Sequence, residues 1–185
     1  MRKKLLIILS AIAVVVVVFV IIVAMQPSEF RVSRSATMAA PPAAVFPQVN
    51  ELKNWQAWSP WAEVDRNAKY TFSGPPAGQG AAFAWVGNSD VGEGKMTITE
   101  SRANELVRFH LEFFKPMAGT SEAEFTFKPE GNGTTITWTM NGKNNFIAKA
   151  MCMVMSMDKM IGGQFEKGLA SIKAIVERSS PPKTS

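Results

Sequence analysis

Cysteine and histidine are almost missing: the 185 residues hold one of each, Cys152 and His110. A lone cysteine permits no internal disulfide and says little about the compartment. A lone histidine has no second imidazole with which to share zinc, and acid/base use would need carboxylate partners that the sequence does not locate. No nucleophile–base pair is visible. His110 shares the phase of Arg108 and Glu112, opposite Phe109 and Leu111, so a surface position is its default. Basic runs are also missing beyond the first four residues. The formal charge is +5, yet past residue 4 seventeen basic residues face fifteen acidic ones, scattered singly. Such a distribution leaves no footprint for nucleic acid. "GEGK" (Gly92 to Lys95) lacks the glycine spacing and the Ser/Thr of a phosphate loop and reads as a hairpin exit. No motif calls for a cofactor or a metal.

What the chain does have is one long apolar run. Residues 5–25, "LLIILSAIAVVVVVFVIIVAM", carry only Ser10 as a polar interruption. As a helix they would extend roughly 31 Å, matching a bilayer core of about 30 Å. A buried helix of a soluble domain would show a polar stripe, and this run has none. The run exceeds the core of a signal peptide, and its end offers Ala24 but no clean A-x-A site. The preferred reading is an uncleaved anchor; a cleaved secretion signal is the alternative. Arg2, Lys3 and Lys4 place the N-terminus in the cytoplasm by the positive-inside rule, weakened but not reversed by Arg31 and Arg34. The rest then faces the periplasm or extracellular space. The linker, residues 26–29, is short enough to hold the following domain against the membrane.

From residue 30 to 142 the dominant period is two. Phe30, Val32 and Ala36 alternate with Arg31, Ser33 and Ser35. Two short helices follow through "APPAAVFPQVNEL" and the Trp-rich "NWQAWSPWAEVD". Six strands separated by turn signals come next. One-sided alternation, such as Phe109, Leu111, Phe113 and Ile136, Trp138, Met140, predicts an antiparallel sheet with one apolar face. After Gly142 the period becomes helical, with Met157, Ile161, Phe165, Leu169, Ile172 and Val176 in one stripe. Residues 179–185 read as a disordered tail. The fold class is α+β: a curved antiparallel sheet wrapped around a long C-terminal helix, an arrangement that commonly leaves a cavity.

The stretches "APPAAVFPQVNELKNWQAWSPW", "YTFSGPPAGQGAAFAWVGN", "GEGKMTITES", "FFKPM", "AEFTFKPEGNGTTITWTMNG" and "MDKMIGGQFEKGLASIK" occur in this order across the chain. With them, residues 29 to 178 resemble the polyketide cyclase/dehydrase-like group of the START-related (SRPBCC) superfamily, the helix-grip fold. The resemblance implies a domain over about 30–178 of a kind that binds lipids, sterols or polyketides, some members being cyclases. It carries no catalytic set onto these residues.

Cavity candidates are Trp55, Trp58, Trp61, Trp85, Phe109, Phe113, Trp138, Met157, Ile161 and Phe165. The three clustered Trp have a structural reading, as bulk plugging the mouth with a polar N–H for the rim, and a ligand-facing one. Arg34 falls in register with Phe30 and Val32, which turns it toward the covered face. There it needs a partner, either a ligand carboxylate or Glu100, which shares the phase of Met96 and Ile98. Met151, Met153, Met155, Met157 and Met160 surround Cys152 in two helical stripes. Adaptable packing in core or pocket is preferred over a Cu(I) site. "NGT" (Asn132 to Thr134) matches a glycosylation acceptor that matters only on a eukaryotic secretory route. The expected function is membrane-anchored binding of a hydrophobic or amphipathic small molecule. The alternatives are a cyclase or dehydratase-type enzyme in the same cavity, and an interaction module with a filled core.

Overall fold

In a computed structural model the chain is described over residues 2–153 and 156–179, excluding the Met157 side chain. Helix α1 (Arg2–Ala24) is long and apolar enough to cross a membrane. It begins within the basic flank, three residues before the apolar run. Strand β1 (Glu29–Met38) starts the globular part and is followed by α2 (Pro42–Asn50), a 3₁₀ helix (Leu52–Ala57) and α3 (Pro60–Val64). The expected pair of short helices is therefore three pieces. Pro60 at the first turn of α3 opens a new helix and separates Trp61 from the other two indoles.

Six strands follow: β2 (Lys69–Ser73), β3 (Ala82–Val86), β4 (Glu93–Arg102), β5 (Leu106–Lys115), β6 (Gly119–Glu130) and β7 (Gly133–Lys143). All neighbours are antiparallel and the order is β1-β7-β6-β5-β4-β3-β2. The alternation read from the sequence is the burial pattern of the sheet: Val32, Ile98, Phe109, Phe125, Phe127, Ile136 and Trp138 are buried on the inner face. The outer face of the β1–β7 pair carries hydroxyl pairs 2.8 Å apart, Ser33–Thr139, Ser35–Thr137 and Thr37–Thr135. Cross-strand polar pairs of this kind satisfy a wet face without burying it.

The β4–β5 ladder slips twice, between Glu93 and Gly94 and between Ile98 and Glu100. Such bulges bend a strand and raise its local twist, curving the sheet. The second slip also corrects the expected partner of Arg34. Past Thr99 the phase of β4 inverts, so Glu100 lies opposite Arg108 on the outer face and bonds it at 2.5 Å.

The expected continuous helix after Gly142 is two helices, α4 (Phe146–Cys152) and α5 (Met157–Ser179). Asn145 caps α4, its side chain accepting from Ala148 N at 2.8 Å. Helix α5 runs alongside β1 in the same direction: Arg34 meets Asp158 and Glu166, while Thr37 and Ala39 meet Lys173 and Glu177. Its Phe165, Leu169, Ile172 and Val176 are buried against the concave face, as the stripe implies. Met151, Met153 and Met160 are exposed, correcting the expectation of core or pocket packing for these three. Met155, the Met157 side chain and residues 180–185 of the expected tail lie outside the described residues.

Candidate functional site

The inner face of the sheet is built in layers that run across the strands. The layer nearest the end where α1 joins the domain holds Trp85, Gly94 and Phe113; the next holds Phe83, Met96 and Leu111. Then come Ile98, Phe109, Ala123 and Met140, followed by Val107, Phe125 and Trp138. Beyond these, Phe127, Ile136 and Met38 are packed solid with α2 and the C-terminal half of α5. The far half of the fold is thus filled by its own side chains. In the near half a cavity of about 220 Å³ remains, walled by Trp61, Trp85, Phe113, Met140, Ile161 and Phe165 among others.

Trp138 closes the inner end of this cavity. It stacks on Phe165 with ring centroids 3.9 Å apart and planes 9° apart, and on Phe125 at 4.6 Å. Only 3% of Trp138 is exposed, yet its Nε1–H has no hydrogen-bond partner among the described residues. A buried donor without an acceptor is costly and uncommon. A Cβ on Gly168 would lie 3.0 Å from Trp138 Cζ3. Since Cζ3 sits diagonally across the indole from Nε1, the N–H is directed away from that part of α5.

The three clustered Trp divide their work. The last four carbonyls of α2 need partners from outside the helix. Asn54 Nδ2 donates to Pro47 O at 3.0 Å, Trp58 Nε1 to Gln48 O at 2.8 Å, Trp55 Nε1 to Val49 O at 2.9 Å and Gly78 N to Asn50 O at 3.3 Å. Two indole N–H groups therefore cap a helix instead of facing the cavity rim, correcting the expected role. Trp55 is buried over Phe109 and Phe125, centroids 5.4 and 5.8 Å away, and its edge also lines the cavity. Trp58 does not line it, whereas half-buried Trp61 does.

Of the other sequence-based candidates, Trp85, Phe113, Trp138, Ile161 and Phe165 line the cavity. Phe109 does not: it is fully buried beneath Trp55. Arg34 does turn toward α5, but its partners are protein carboxylates. Its Nε donates to Glu166 at 2.6 Å, and Nη1 and Nη2 donate to Asp158 at 2.8 and 2.9 Å. The hydrogen bonds from Arg34 hold the Asp158 carboxyl below its usual range. Sequence reasoning missed Tyr70, Phe83, Met96 and Leu111, all of which line the cavity. The alternation of β3, β4 and β5 places the last three on the inner face, but it does not say which inner residues border a void. Burial raises the Tyr70 hydroxyl pKa, opposed by a hydrogen bond with Gln56. His110 is on the outer face, its Nδ1 2.5 Å from Glu122 Oε1. A second depression, at the opposite end of the sheet, is bordered by Lys173 and Glu177. Both already bond backbone there, to Thr37 O and Ala39 N. No cluster of three or more metal-ligating side chains occurs among the described residues.

A curved antiparallel sheet gripping its last helix, with an apolar hollow between them, defines a helix-grip domain. The family described as "Polyketide cyclase / dehydrase and lipid transport" matches residues 29–177, and the chain belongs to that family, within the SRPBCC superfamily. Solved structures share the fold. A Chromobacterium violaceum protein, CV1439, aligns at TM-score 0.57 and 15% identity, over 82% of this chain and 99% of that one. Aha1 from Colwellia psychrerythraea, solved as a dimer, aligns at 0.58 and 15%, over 80% and 96%. Ara h 8.0201 aligns at 0.57 and 11%, over 82% and 99%. Comparison with curated proteins finds no match.

Proposed function

We propose that this chain binds one apolar or amphipathic small molecule, a lipid or polyketide-like compound, between sheet and α5, with α1 anchoring the domain to a membrane. The observation that carries this reading is the apolar cavity of about 220 Å³ left between sheet and α5. Its lining is aromatic and aliphatic with few polar groups, among them Tyr70, Gln56 and Ser59, the composition that suits small-molecule recognition. The cavity is smaller than the roughly 300–1,000 Å³ of drug-sized sites, so it admits a single chain or ring system and leaves the remainder of a larger ligand at the mouth.

The test uses the full chain in detergent-free nanodiscs, titrated with a brominated fatty acid, which quenches indoles on contact. Quenching of wild type that is lost in Ala123→Phe, a variant that fills the cavity, supports the reading. Equal quenching of both proteins, or none of either, with both still melting cooperatively, refutes it.

A further inference from the structure

We infer that α4 lies along the surface of the lipid bilayer as an interfacial helix, and that the cavity mouth is thereby presented to the membrane; this rests on reading α1 as the anchor.

The first observation is an uncovered apolar face. Phe146, Ile147 and Met151 fall within a 140° arc of α4, taking 100° per residue, and are 49%, 58% and 44% exposed. Met25, at the exit of α1, is 80% exposed, and Met153, next after α4, is 41% exposed. A contiguous exposed apolar patch marks an interaction surface. Between residues 143 and 153 the only charged residues are Lys143 and Lys149, both basic, a composition suited to an anionic lipid surface.

The second observation fixes how far this patch lies from the anchor. Helix α1 packs on α4, burying Val23. Lys149 Nζ donates to Ala24 O at 3.3 Å, the last residue of α1. Asn144 donates from its side chain to Pro27 O at 3.2 Å and from its backbone to Ser28 O at 2.9 Å. The linker residues 25–28 reach at most about 14 Å even when extended. The headgroup layer on each side of the hydrocarbon occupies about 5–8 Å. A helix tied at both ends of so short a linker therefore sits at the boundary that α1 leaves, where an amphipathic helix embeds its apolar face.

The third observation is where the cavity opens. Every strand end nearest α1 belongs to one edge of the sheet: Glu29 pairs with Lys143, Phe113 with Gly119, Gly94 with Phe113 and Trp85 with Gly94. The cavity occupies the layers next to this edge, and Ile161, one turn into α5, forms part of its wall. Helix α5 follows directly after α4. An apolar ligand leaving the bilayer beside α4 would thus meet Ile161, Phe113 and Trp85 without crossing bulk water.

The test places one environment-sensitive fluorophore at a time on the full chain, in a Cys152→Ser background reconstituted into vesicles of phosphatidylcholine and phosphatidylglycerol. The labelled variants are Val16→Cys in α1, Ile147→Cys and Met151→Cys on the exposed face of α4, and Asn132→Cys at the hairpin tip on the far end of the sheet. Quenching is read with lipids bearing a nitroxide near the headgroup or deep in the acyl chain. The expected result is loss of most emission at 16 with the deep quencher, at 147 and 151 with the shallow one, and none at 132. Quenching at 16 with positions 147 and 151 as unaffected as 132 overturns the interfacial helix and leaves the anchor intact. Absence of quenching at 16 removes the anchor and this inference together.

Discussion

The indole of Trp138 lies flat on the ring of Phe165, centroids 3.9 Å apart, and so joins β7 to α5 at the point where the packed half of the fold ends and the hollow half begins. Offset or near-parallel aromatic contacts add to ordinary burial. The same indole lines the inner end of the cavity, so one residue both closes the core and bounds the hollow.

Replacing Trp138 with Phe keeps a ring in the stack and removes part of the indole together with an N–H that has no partner among the described residues. Replacing Trp55 with Phe removes a similar piece of ring and strands the buried Val49 carbonyl, which Trp55 Nε1 now serves at 2.9 Å. Orphaning a buried acceptor costs about 1–3 kcal/mol. Trp55→Phe should be less stable than Trp138→Phe by that amount in urea unfolding. In ligand titrations Trp138→Phe, which enlarges the inner end of the cavity, should change the affinity for apolar ligands where Trp55→Phe changes it less.

The Arg34–Asp158 pair makes stability depend on acid. The folded pKa of Asp158 is depressed below its ordinary 3.8 by hydrogen bonds from Arg34. Its contribution is therefore present above that ordinary value and is lost as pH falls through the lowered folded value. Thermal melts of wild type and Arg34→Met should differ at neutral pH and converge below about pH 4. A difference that stays constant through acid would show that Asp158 is not the linked group. Because the guanidinium bonds α5 carboxylates, Arg34→Met should leave uptake of apolar ligands intact.

A Cβ at Gly94 would run into the Trp85 indole and stand 2.5 Å from Glu112 O. Backbone on the neighbouring strand cannot yield easily, and overpacking costs about 1–3 kcal/mol. Gly94→Ala should lower the melting temperature and, by displacing Trp85 from the cavity wall, change the brominated-acid quenching. Unchanged stability and unchanged quenching would mean that the layer at the mouth is loose.

His110→Ala should do neither. The imidazole is on the solvent face, paired with Glu122 across the sheet. Exposed ion pairs contribute about 0–1 kcal/mol. Stability should shift within that range, and ligand quenching should match wild type.

Much of the architecture was legible because it follows from local periodicity. Phe109, Leu111 and Phe113 alternate with Arg108, His110 and Glu112, and the sheet places them inside and outside accordingly. The stripe from Ile161 to Val176 meets the concave face, and Arg34 points where its phase with Val32 directs it. Three features were not legible. A bulge at Thr99 inverted the phase that made Glu100 the expected partner of Arg34. The N–H groups of Trp55 and Trp58 reach carbonyls six and ten residues earlier, through the turn that folds the 3₁₀ helix under α2. Helix α4 stops at Cys152, where the sequence reads as one helix running on through the methionines.

The amino-acid order alone determined the apolar helix, seven strands with one oily face and a final amphipathic helix. Each is set by side chains a few residues apart, and backbone geometry converts that spacing directly into a face. Tertiary structure decided which part of the oily face is filled, which carboxylates Arg34 meets, and which carbonyls the Trp55 and Trp58 donors reach. Those outcomes depend on register across strands and on the volumes of residues distant in the chain, where a one-residue slip or one missing side chain changes the partner.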